Sequence, residues 1–444
     1  MKIINNYNFK YPSLLDLFLL IVIVIIFFKI FILHDHYPLH DEIISLDRYL
    51  EPKNFIRRDS TNNQLFLSFF GMLINFIYGF EFILFRMISF ISFVGIIIIL
   101  RNSFSKFIIY FVFFIIILSS DLLFNYTYLY RGYYVGSFLL ILNLHLLKKY
   151  FHNNAIQFLR YSFLTTTLLF IHSIYTVYFI IPILMTVFIK TYVDKKFINI
   201  KICIIYFITP SIILYSLIFV ITGFAQTYSG NLNFSFLINN LFEISQNSFL
   251  PGLKTVFFQD ATKLYFSFSA LFEKLTKGES GIMTTHQITI LLIIITSIVN
   301  LIYKLIFKRL TLNYFDCMVG IFFISYFLIN RNPWLRVFVP ITFFLIFYLL
   351  NEINLLMSEI NKNYYKVLII STSIIFLILI VLTKPNENYN QLKNEIAKID
   401  KVKDNCSLAN SKLNNYEIWI MINFYPNSCK YYYNNKLKKN ILID

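Results

Sequence analysis

The chain has 444 residues, of which 58% are hydrophobic and only 14% are charged. Soluble domains are close to half apolar and a quarter charged, so this composition predicts an integral membrane protein. The formal net charge of +16 is also a feature of nucleic-acid-binding proteins. Many of the Lys and Arg residues, however, fall in short clusters between apolar runs, which is how membrane proteins set their orientation. We therefore exclude a nucleic-acid partner and expect membrane lipids around the chain.

The first apolar segment runs from Leu14 to Leu33 and follows a short basic stretch. It is long enough to cross a bilayer at ~1.5 Å per residue, and no small-residue cleavage site follows it, so we interpret it as a signal anchor. Further runs of sufficient length begin near residues 82, 107, 131, 158, 173, 201, 287, 314, 336 and 366. The prediction is an all-α polytopic membrane protein with about eleven transmembrane helices.

The apolar run Leu65–Phe80 is ambiguous, and the distribution of basic residues decides how it is interpreted. If this run crossed the membrane, the basic loop Arg101–Lys106 would lie outside and every later loop would invert. If it lies along the membrane surface, all short basic connections fall on one side, as the positive-inside rule requires. Those connections contain Arg101 and Lys106; Lys148, Lys149 and Arg160; Lys190, Lys195, Lys196 and Lys201; Lys304, Lys308 and Arg309; and Lys362 and Lys366. We therefore predict a juxtamembrane helix, a cytoplasmic N-terminus and a C-terminus outside.

This topology divides the chain into a transmembrane domain, residues 1–383, and a small extracytoplasmic tail, residues 384–444. The two long external loops of the transmembrane domain span residues 34–80 and 225–287. The tail contains Cys406 and Cys429, which either form a disulfide in an oxidising compartment or remain two thiols. Frequent Ile, Asn, Lys and Phe suggest an AT-rich coding source, and hence a bacterial plasma membrane and an undecaprenyl carrier.

Four cations depart from the positive-inside pattern, because they are predicted at or just inside the outer ends of spanning helices. They are Lys29, Arg86, Arg131 and Arg336. A cation near mid-membrane costs about 2.5–3.5 kcal/mol on insertion scales, so each of them needs a reason. Each could extend towards the headgroups or pair with a structural carboxylate. Four at the same depth also suggest a shared anion, and a phosphate is the natural candidate.

The first external loop begins with the sequence HDHYPLHDE at His34, and this stretch ends in the acidic pair Asp41–Glu42. Carboxylates beside desolvated cations are suited to general-base catalysis. Alternatively, the pair begins a helix, where acids are stabilised by the positive end of the helix dipole. A metal site is a third alternative, with His34, Asp35, His36 and His40 as ligands. Their spacing matches no strong motif, so we expect neither a metal nor another cofactor.

Four segments in order over about residues 13–345 resemble the GT-C membrane glycosyltransferases, in particular the protein O-mannosyltransferases and lipid A aminoarabinose transferases. HDEIISLDRYL resembles the Asp-Glu motif that opens the first external loop of that family, and STNNQLFLSFFGMLINFIYGFEFILFRMISFISF resembles the stretch that follows. NYTYLYRGYYVGSFLLILNLHLL resembles its Ala-Arg-Gly-Tyr segment, and NPWLRVFVPITFFLIF its late Pro-x-x-Arg element. The order of the segments carries the resemblance, since no single segment is specific. The residues from Lys384 onward lie outside it.

The resemblance implies an enzyme that takes a sugar from a polyprenyl-phosphate donor at the outer face and inverts the anomeric centre. The acceptor would be a hydroxyl group of a lipid, a glycan or a protein. Asp41 would be the base, and Glu42 would orient it or shape the acceptor site. The carrier phosphate would be bound by Lys29, Arg86, Arg131 and Arg336. Contacts with donor or acceptor would come from His40, Asn62, Asn63, Gln64, Asn125 and Tyr133.

The chain departs from the pattern of this family at two positions. Asn125 stands where relatives often carry an acid, and Gln64 where they often carry His. Two other functions stay open beside the glycosyltransferase: a flippase of lipid-linked oligosaccharides, and a surface-polysaccharide polymerase or ligase that uses a lipid diphosphate. Transporters often place polar and charged groups near the membrane midplane, whereas the predicted midplane stretches Ile21–Phe28, Ile96–Leu100 and Ile374–Val381 are apolar.

Overall fold

The computed structural model describes residues 13–32, 42, 45–46, 50, 64–172, 176–221, 285–307, 313–329, 338–357 and 362–382. All regular structure in these ranges is helical. The helices are α1 Leu14–Phe27, α2 Leu65–Tyr78, α3 Phe82–Ser103, α4 Phe107–Ser119, α5 Asp121–Tyr126, α6 Tyr133–Asn153, α7 Ile156–His172, α8 Val177–Val193, α9 Ile198–Cys203, α10 Thr209–Ile221, α11 Thr285–Phe307, α12 Tyr314–Ile329, α13 Phe338–Leu356 and α14 Lys362–Leu382. Single π-helical turns continue α1 (Phe28–Ile32) and join α9 to α10 (Ile204–Ile208). The predicted external loop 225–287, up to residue 284, and the tail 384–444 with its two cysteines lie outside the described residues.

Each apolar run found in the sequence contains a helix, and the all-helical prediction is confirmed for the described residues. Three described helices are long and apolar enough to cross a membrane, namely Leu14–Ile32, Phe82–Ser103 and Val339–Leu356. Shorter apolar helices cover Leu65–Tyr78, Phe107–Ser119, Phe179–Val193, Ile198–Leu214, Leu292–Ile306 and Tyr314–Ser325. These helices indicate a membrane protein, while the eleven crossings and their orientation stay predictions.

Helix α6 is central to the described bundle and packs against α3, α7 and α13. Phe93 of α3 lies edge-to-face on Tyr134 of α6, with ring centroids 5.9 Å apart, and Phe343 of α13 contacts the same tyrosine ring at 5.1 Å. Asn143 of α6 donates a hydrogen bond of 2.7 Å to the carbonyl oxygen of Ser162 on α7. Close packing and interhelical hydrogen bonds of this kind hold helices together in lipid, where the surroundings are as apolar as the side chains.

Helix α2 has both of its ends at the same end of the bundle. At its start, the side chain of Gln64 packs against Gly132, so that a Cβ atom on this glycine would lie 2.3 Å from the Gln64 amide oxygen. Gly79 ends α2 in the left-handed region at φ 77°, which glycine adopts without strain. The chain then enters α3. Arg86, in the first turns of α3, lies over the ring of Tyr128, which is close in sequence to Gly132, so the two ends of α2 lie near the same segment. The run 65–80 therefore contains a separate short helix.

Helix α3 runs from one end of the bundle to the other. We call these ends the Arg86 end and the Arg101 end, after the arginines near the start and the end of α3. At ~1.5 Å per residue, the helix rises about 22 Å between these two arginines. Arg101 forms an ion pair of 2.6 Å with Asp16, in the first turn of α1. Lys106 and Lys148 lie at the same end, and each donates a hydrogen bond of 3.2 Å to a backbone carbonyl there. Basic residues from several connections thus gather at the Arg101 end.

A cluster of buried charges joins α11, α12 and α13 at the Arg101 end. The Lys304 ammonium lies 2.8 Å from Asp316 and 2.5 Å from Glu352. Asp316 also accepts hydrogen bonds from the Tyr348 hydroxyl at 2.9 Å and from the Asn313 backbone N–H at 2.8 Å. One cation therefore satisfies two carboxylates from two different helices, and this fixes the relative positions of all three.

Lys304→Met is expected to lower the thermal stability of the protein strongly. It removes the shared cation from two largely buried carboxylates, and removal of one partner from a buried ion pair costs about 3–5 kcal/mol. The matched control is Lys201→Met, because Lys201 is exposed. Thermal unfolding of both variants in detergent checks the prediction. Equal melting temperatures for the two variants would contradict it.

Candidate functional site

The Glu42 carboxylate is fully buried at the Arg86 end and links three parts of the chain. Its two oxygens accept hydrogen bonds from Arg86, from Nε at 3.0 Å and from one terminal nitrogen at 2.6 Å. The oxygen that faces Nε also accepts a bond of 2.6 Å from the backbone N–H of Tyr130. Bidentate Arg–carboxylate pairs are both strong and geometrically specific. Glu42 therefore fastens the segment between α1 and α2 to the start of α3 and to the segment before α6.

The Arg86 guanidinium also lies against two aromatic rings. Its central carbon lies 4.4 Å from the ring centre of Phe82 and 5.3 Å from that of Tyr128, which favours the cation electrostatically. Of the two explanations considered for this out-of-place cation, pairing with a carboxylate is the one observed, and its partner is Glu42. The additional role of Arg86 towards a carrier phosphate stays a prediction.

Residues 128–132, which we call the Arg131 turn, carry the second arginine of the site. Ser89 of α3 donates to the turn, at 2.6 Å to the carbonyl oxygen of Leu129 and at 3.2 Å to that of Arg131. The Arg131 side chain is buried and donates a hydrogen bond of 3.1 Å to the Ser45 hydroxyl. Both the backbone and the side chain of Arg131 are therefore held by residues distant in sequence.

Helix α2 holds the Arg131 turn from another side. The Tyr130 hydroxyl donates a hydrogen bond of 3.1 Å to the carbonyl oxygen of Leu67. Gly71, one helical turn further, leaves room for this tyrosine, because a Cβ atom there would lie 2.0 Å from the hydroxyl oxygen. The same atom would lie 3.0 Å from the Leu50 side chain. Glycine is therefore required at position 71 by the close approach of α2 to the turn.

Gly71→Ala is expected to destabilise the protein and displace the Arg131 turn, although alanine is favoured over glycine by about 1 kcal/mol inside a helix. Gly320→Ala in α12 is the matched control, since among the described residues its added Cβ would meet only Leu301, at an ordinary distance of 3.7 Å. We expect the control to be neutral or stabilising. Melting temperatures of the two variants decide the prediction, and a Gly71→Ala variant as stable as Gly320→Ala would refute it.

Gly132 closes the turn between two side chains. The imidazole Nε2 of His172, at the end of α7, lies 2.9 Å from the Gly132 carbonyl oxygen. The His172 ring is stacked on Phe66 of α2, with centroids 5.8 Å apart and planes inclined by 14°. Gln64 also packs against Gly132, and its buried Oε1 has no hydrogen-bond partner among the described residues. Gln64 is therefore a buried acceptor beside the Arg131 turn.

The described part of the site brings together Glu42, Gln64, Arg86 and Arg131, four of the residues predicted from the sequence. Asn125 and Tyr133 flank the turn: Asn125 accepts a bond of 3.3 Å from the Tyr128 hydroxyl, and Tyr133 contacts the ring of Tyr126 at 5.0 Å. Lys29 is half-buried in the π-helical turn that continues α1. Five predicted site residues lie outside the described residues: His40, Asp41, Asn62, Asn63 and Arg336.

Sequence reasoning missed four residues of the site: Ser45, Ser89, Tyr130 and His172. For Ser89 a signal was present, because it lies three residues after Arg86 and therefore on the same face of α3. His172 gave only the weak signal of a polar residue that ends an apolar run. Ser89 and His172 each bind a backbone carbonyl 40 residues away in sequence, so the spacing of residues alone could not reveal these contacts.

The described residues contain no group of three or more His, Cys, Asp and Glu side chains that could hold a metal ion. The four ligands considered in the sequence (His34, Asp35, His36 and His40) lie outside these residues. The site contains a buried carboxylate–guanidinium pair, Glu42 and Arg86, and the buried amide oxygen of Gln64. It also contains a second arginine, Arg131, which directly follows the residue whose backbone N–H binds Glu42. No protein-family model, curated protein sequence or solved structure matches the chain.

Proposed function

We propose that this protein is an inverting glycosyltransferase of the GT-C type, which transfers a sugar from a polyprenyl phosphate to an acceptor hydroxyl at the outer membrane face. One observation carries the proposal. The sequence segments that resemble the Asp-Glu motif and the Ala-Arg-Gly-Tyr segment of that family meet at Glu42, which binds Arg86 and the backbone next to Arg131. A carboxylate loop and a phosphate-binding arginine must be adjacent for this chemistry.

In the proposed mechanism Asp41 is the general base and Glu42 is its anchor. Asp41 is covalently joined to Glu42, so the bidentate bond to Arg86 restricts where the neighbouring carboxylate can lie. Asp41 takes the proton of the acceptor hydroxyl while the hydroxyl oxygen attacks the anomeric carbon. The bond from that carbon to the phosphate oxygen breaks, and the lipid phosphate leaves with the electron pair. Attack opposite to the leaving group inverts the anomeric centre.

Arg131 would stabilise the leaving phosphate. Negative charge grows on the phosphate oxygens as the glycosidic bond breaks, and a fixed cation aimed at developing charge lowers the barrier. Arg131 is suited to this task because its backbone is held by Ser89 and its side chain by Ser45, so little reorganisation is needed. Gln64, whose buried Oε1 is an acceptor, would bind a hydroxyl group of the sugar or of the acceptor.

The distribution of charge supports the proposed orientation. Arg101, Lys106 and Lys148 lie at one end of the bundle and Glu42 lies at the other. Short basic connections face the cytoplasm in membrane proteins, so the Arg86 end would face outward. Both ends of α2 would then lie at the outer surface, as a juxtamembrane helix requires.

A comparison of cell-envelope glycans tests the proposal in the living cell. Cells that lack this chain are expected to lose one sugar residue from a surface glycan, lipid or protein, and the wild-type gene is expected to restore it. An unchanged envelope in the deletion strain, under conditions where the protein is made in the parent strain, would contradict the proposal. Loss of whole glycan chains rather than one residue would favour the polymerase or ligase.

A further inference from the structure

We infer that His172 is a positioning residue that sets the direction of the Arg131 side chain through the carbonyl oxygen of Gly132. The inference rests on the proposed function, since it assigns His172 to the carrier-phosphate site. His172 is fully buried, and its Nε2 lies 2.9 Å from an oxygen that can only accept. Nε2 must therefore carry the proton in this contact.

The Gly132 carbonyl belongs to the peptide group between Gly132 and Tyr133, one residue after Arg131. The same oxygen accepts the first backbone bond of α6, from the N–H of Gly136 at 2.8 Å. His172 thereby ties the start of α6 to the end of α7. Without the His172 N–H, the Arg131 turn loses one anchor and keeps that of Ser89, which bonds the carbonyl groups of Leu129 and Arg131.

The ring of His172 has a second function in the same place, because it fills space. It is stacked on Phe66 of α2, and α2 carries both Gln64 and the Tyr130 acceptor Leu67. A structural role would depend on this stacking alone, whereas a positioning role depends on the N–H as well. The two contributions can be separated, since glutamine places an amide nitrogen near the position of Nε2 and phenylalanine keeps the ring without a donor.

The experiment measures the binding of undecaprenyl monophosphate to purified protein in nanodiscs. His172→Phe is expected to weaken binding about 5–10-fold, the loss of roughly one hydrogen bond. His172→Gln is expected to bind like the wild type. His145→Phe is the matched control, because His145 bonds to Ser103 at the Arg101 end, remote from the site. This control is expected to leave binding unchanged, and Arg131→Met provides the reference for full loss.

The pattern of affinities separates the two claims. Wild-type affinity in His172→Phe, or equally weak binding in His172→Gln and His172→Phe, would overturn the positioning role while Arg131→Met still showed loss of binding. Wild-type affinity in Arg131→Met would overturn the phosphate role of Arg131, and with it both the mechanism and this inference. Melting temperatures of each variant identify a loss of binding that is due only to unfolding.

Discussion

Asp41→Asn is expected to lower the rate of sugar transfer by about 10²–10⁴, the usual contribution of a general base. Asparagine has the size of aspartate but cannot accept the proton of the acceptor hydroxyl. The substitution leaves Glu42 and its bonds to Arg86 intact, so expression and melting temperature are expected to stay at wild-type values. Transfer by purified protein, measured with a polyprenyl-phosphate sugar, checks the prediction.

The matched control for this variant is Asp16→Asn. Asp16 lies at the Arg101 end and its ion pair with Arg101 is partly exposed, at 32% for the arginine side chain and 39% for the aspartate. We expect wild-type transfer from this control. Wild-type transfer from Asp41→Asn would show that another group takes the proton, and the proposed mechanism would then be wrong.

The second large effect is expected from Arg86→Met, which removes the cation that binds Glu42. Removal of one partner from a buried ion pair costs about 3–5 kcal/mol, because the remaining charge stays in a medium that solvates it poorly. The Arg86–Glu42 pair is buried on both sides, at 2% and 1% exposure of the side chains. We expect a large drop in melting temperature, and loss of transfer because the loop that carries Asp41 is no longer anchored.

Arg101→Met is the control, because it removes the cation from an ion pair that is partly exposed. It separates the stability lost through burial of an unpaired charge from the stability lost through the broken pair itself. The Arg101–Asp16 pair has the same length as the Arg86–Glu42 pair, 2.6 Å, but it is partly exposed. Pairs of this kind contribute only about 0–1 kcal/mol. The double variant Glu42→Gln/Arg86→Met is expected to regain part of the stability without regaining transfer. Equal destabilisation by Arg86→Met and Arg101→Met would contradict the anchoring role of the buried pair.

Much of the fold follows from the sequence, because apolar runs and the basic connections between them are local signals. The starts predicted near residues 82, 107 and 314 coincide with α3, α4 and α12 to within one residue. A separate helix in the run 65–80 was also predicted and is observed as α2, while its position along the membrane surface stays a prediction. The crossing of a membrane by each helix depends on the bilayer as well as on the chain, and therefore stays a prediction.

The composition of the site was predictable in part, but its pairings were not. Glu42 and Arg86 were both singled out from the sequence, and each was given a separate role. They bind each other across 44 residues, and Glu42 binds the Tyr130 backbone across 88. Contacts of this range depend on how helices pack, and helix packing is not encoded in any local pattern. For the same reason Ser45 and His172, which hold Arg131 and Gly132, could be found only in the structure.

The most direct test offers the purified wild-type protein two donors in parallel, a sugar on undecaprenyl monophosphate and a glycan on undecaprenyl diphosphate. Cell-envelope lipids and glycans serve as acceptors. We expect consumption of the monophosphate donor, release of undecaprenyl monophosphate, and a product with inverted anomeric configuration. Consumption of the diphosphate donor alone, or movement of the lipid across the bilayer without cleavage of its sugar bond, would contradict the proposed function.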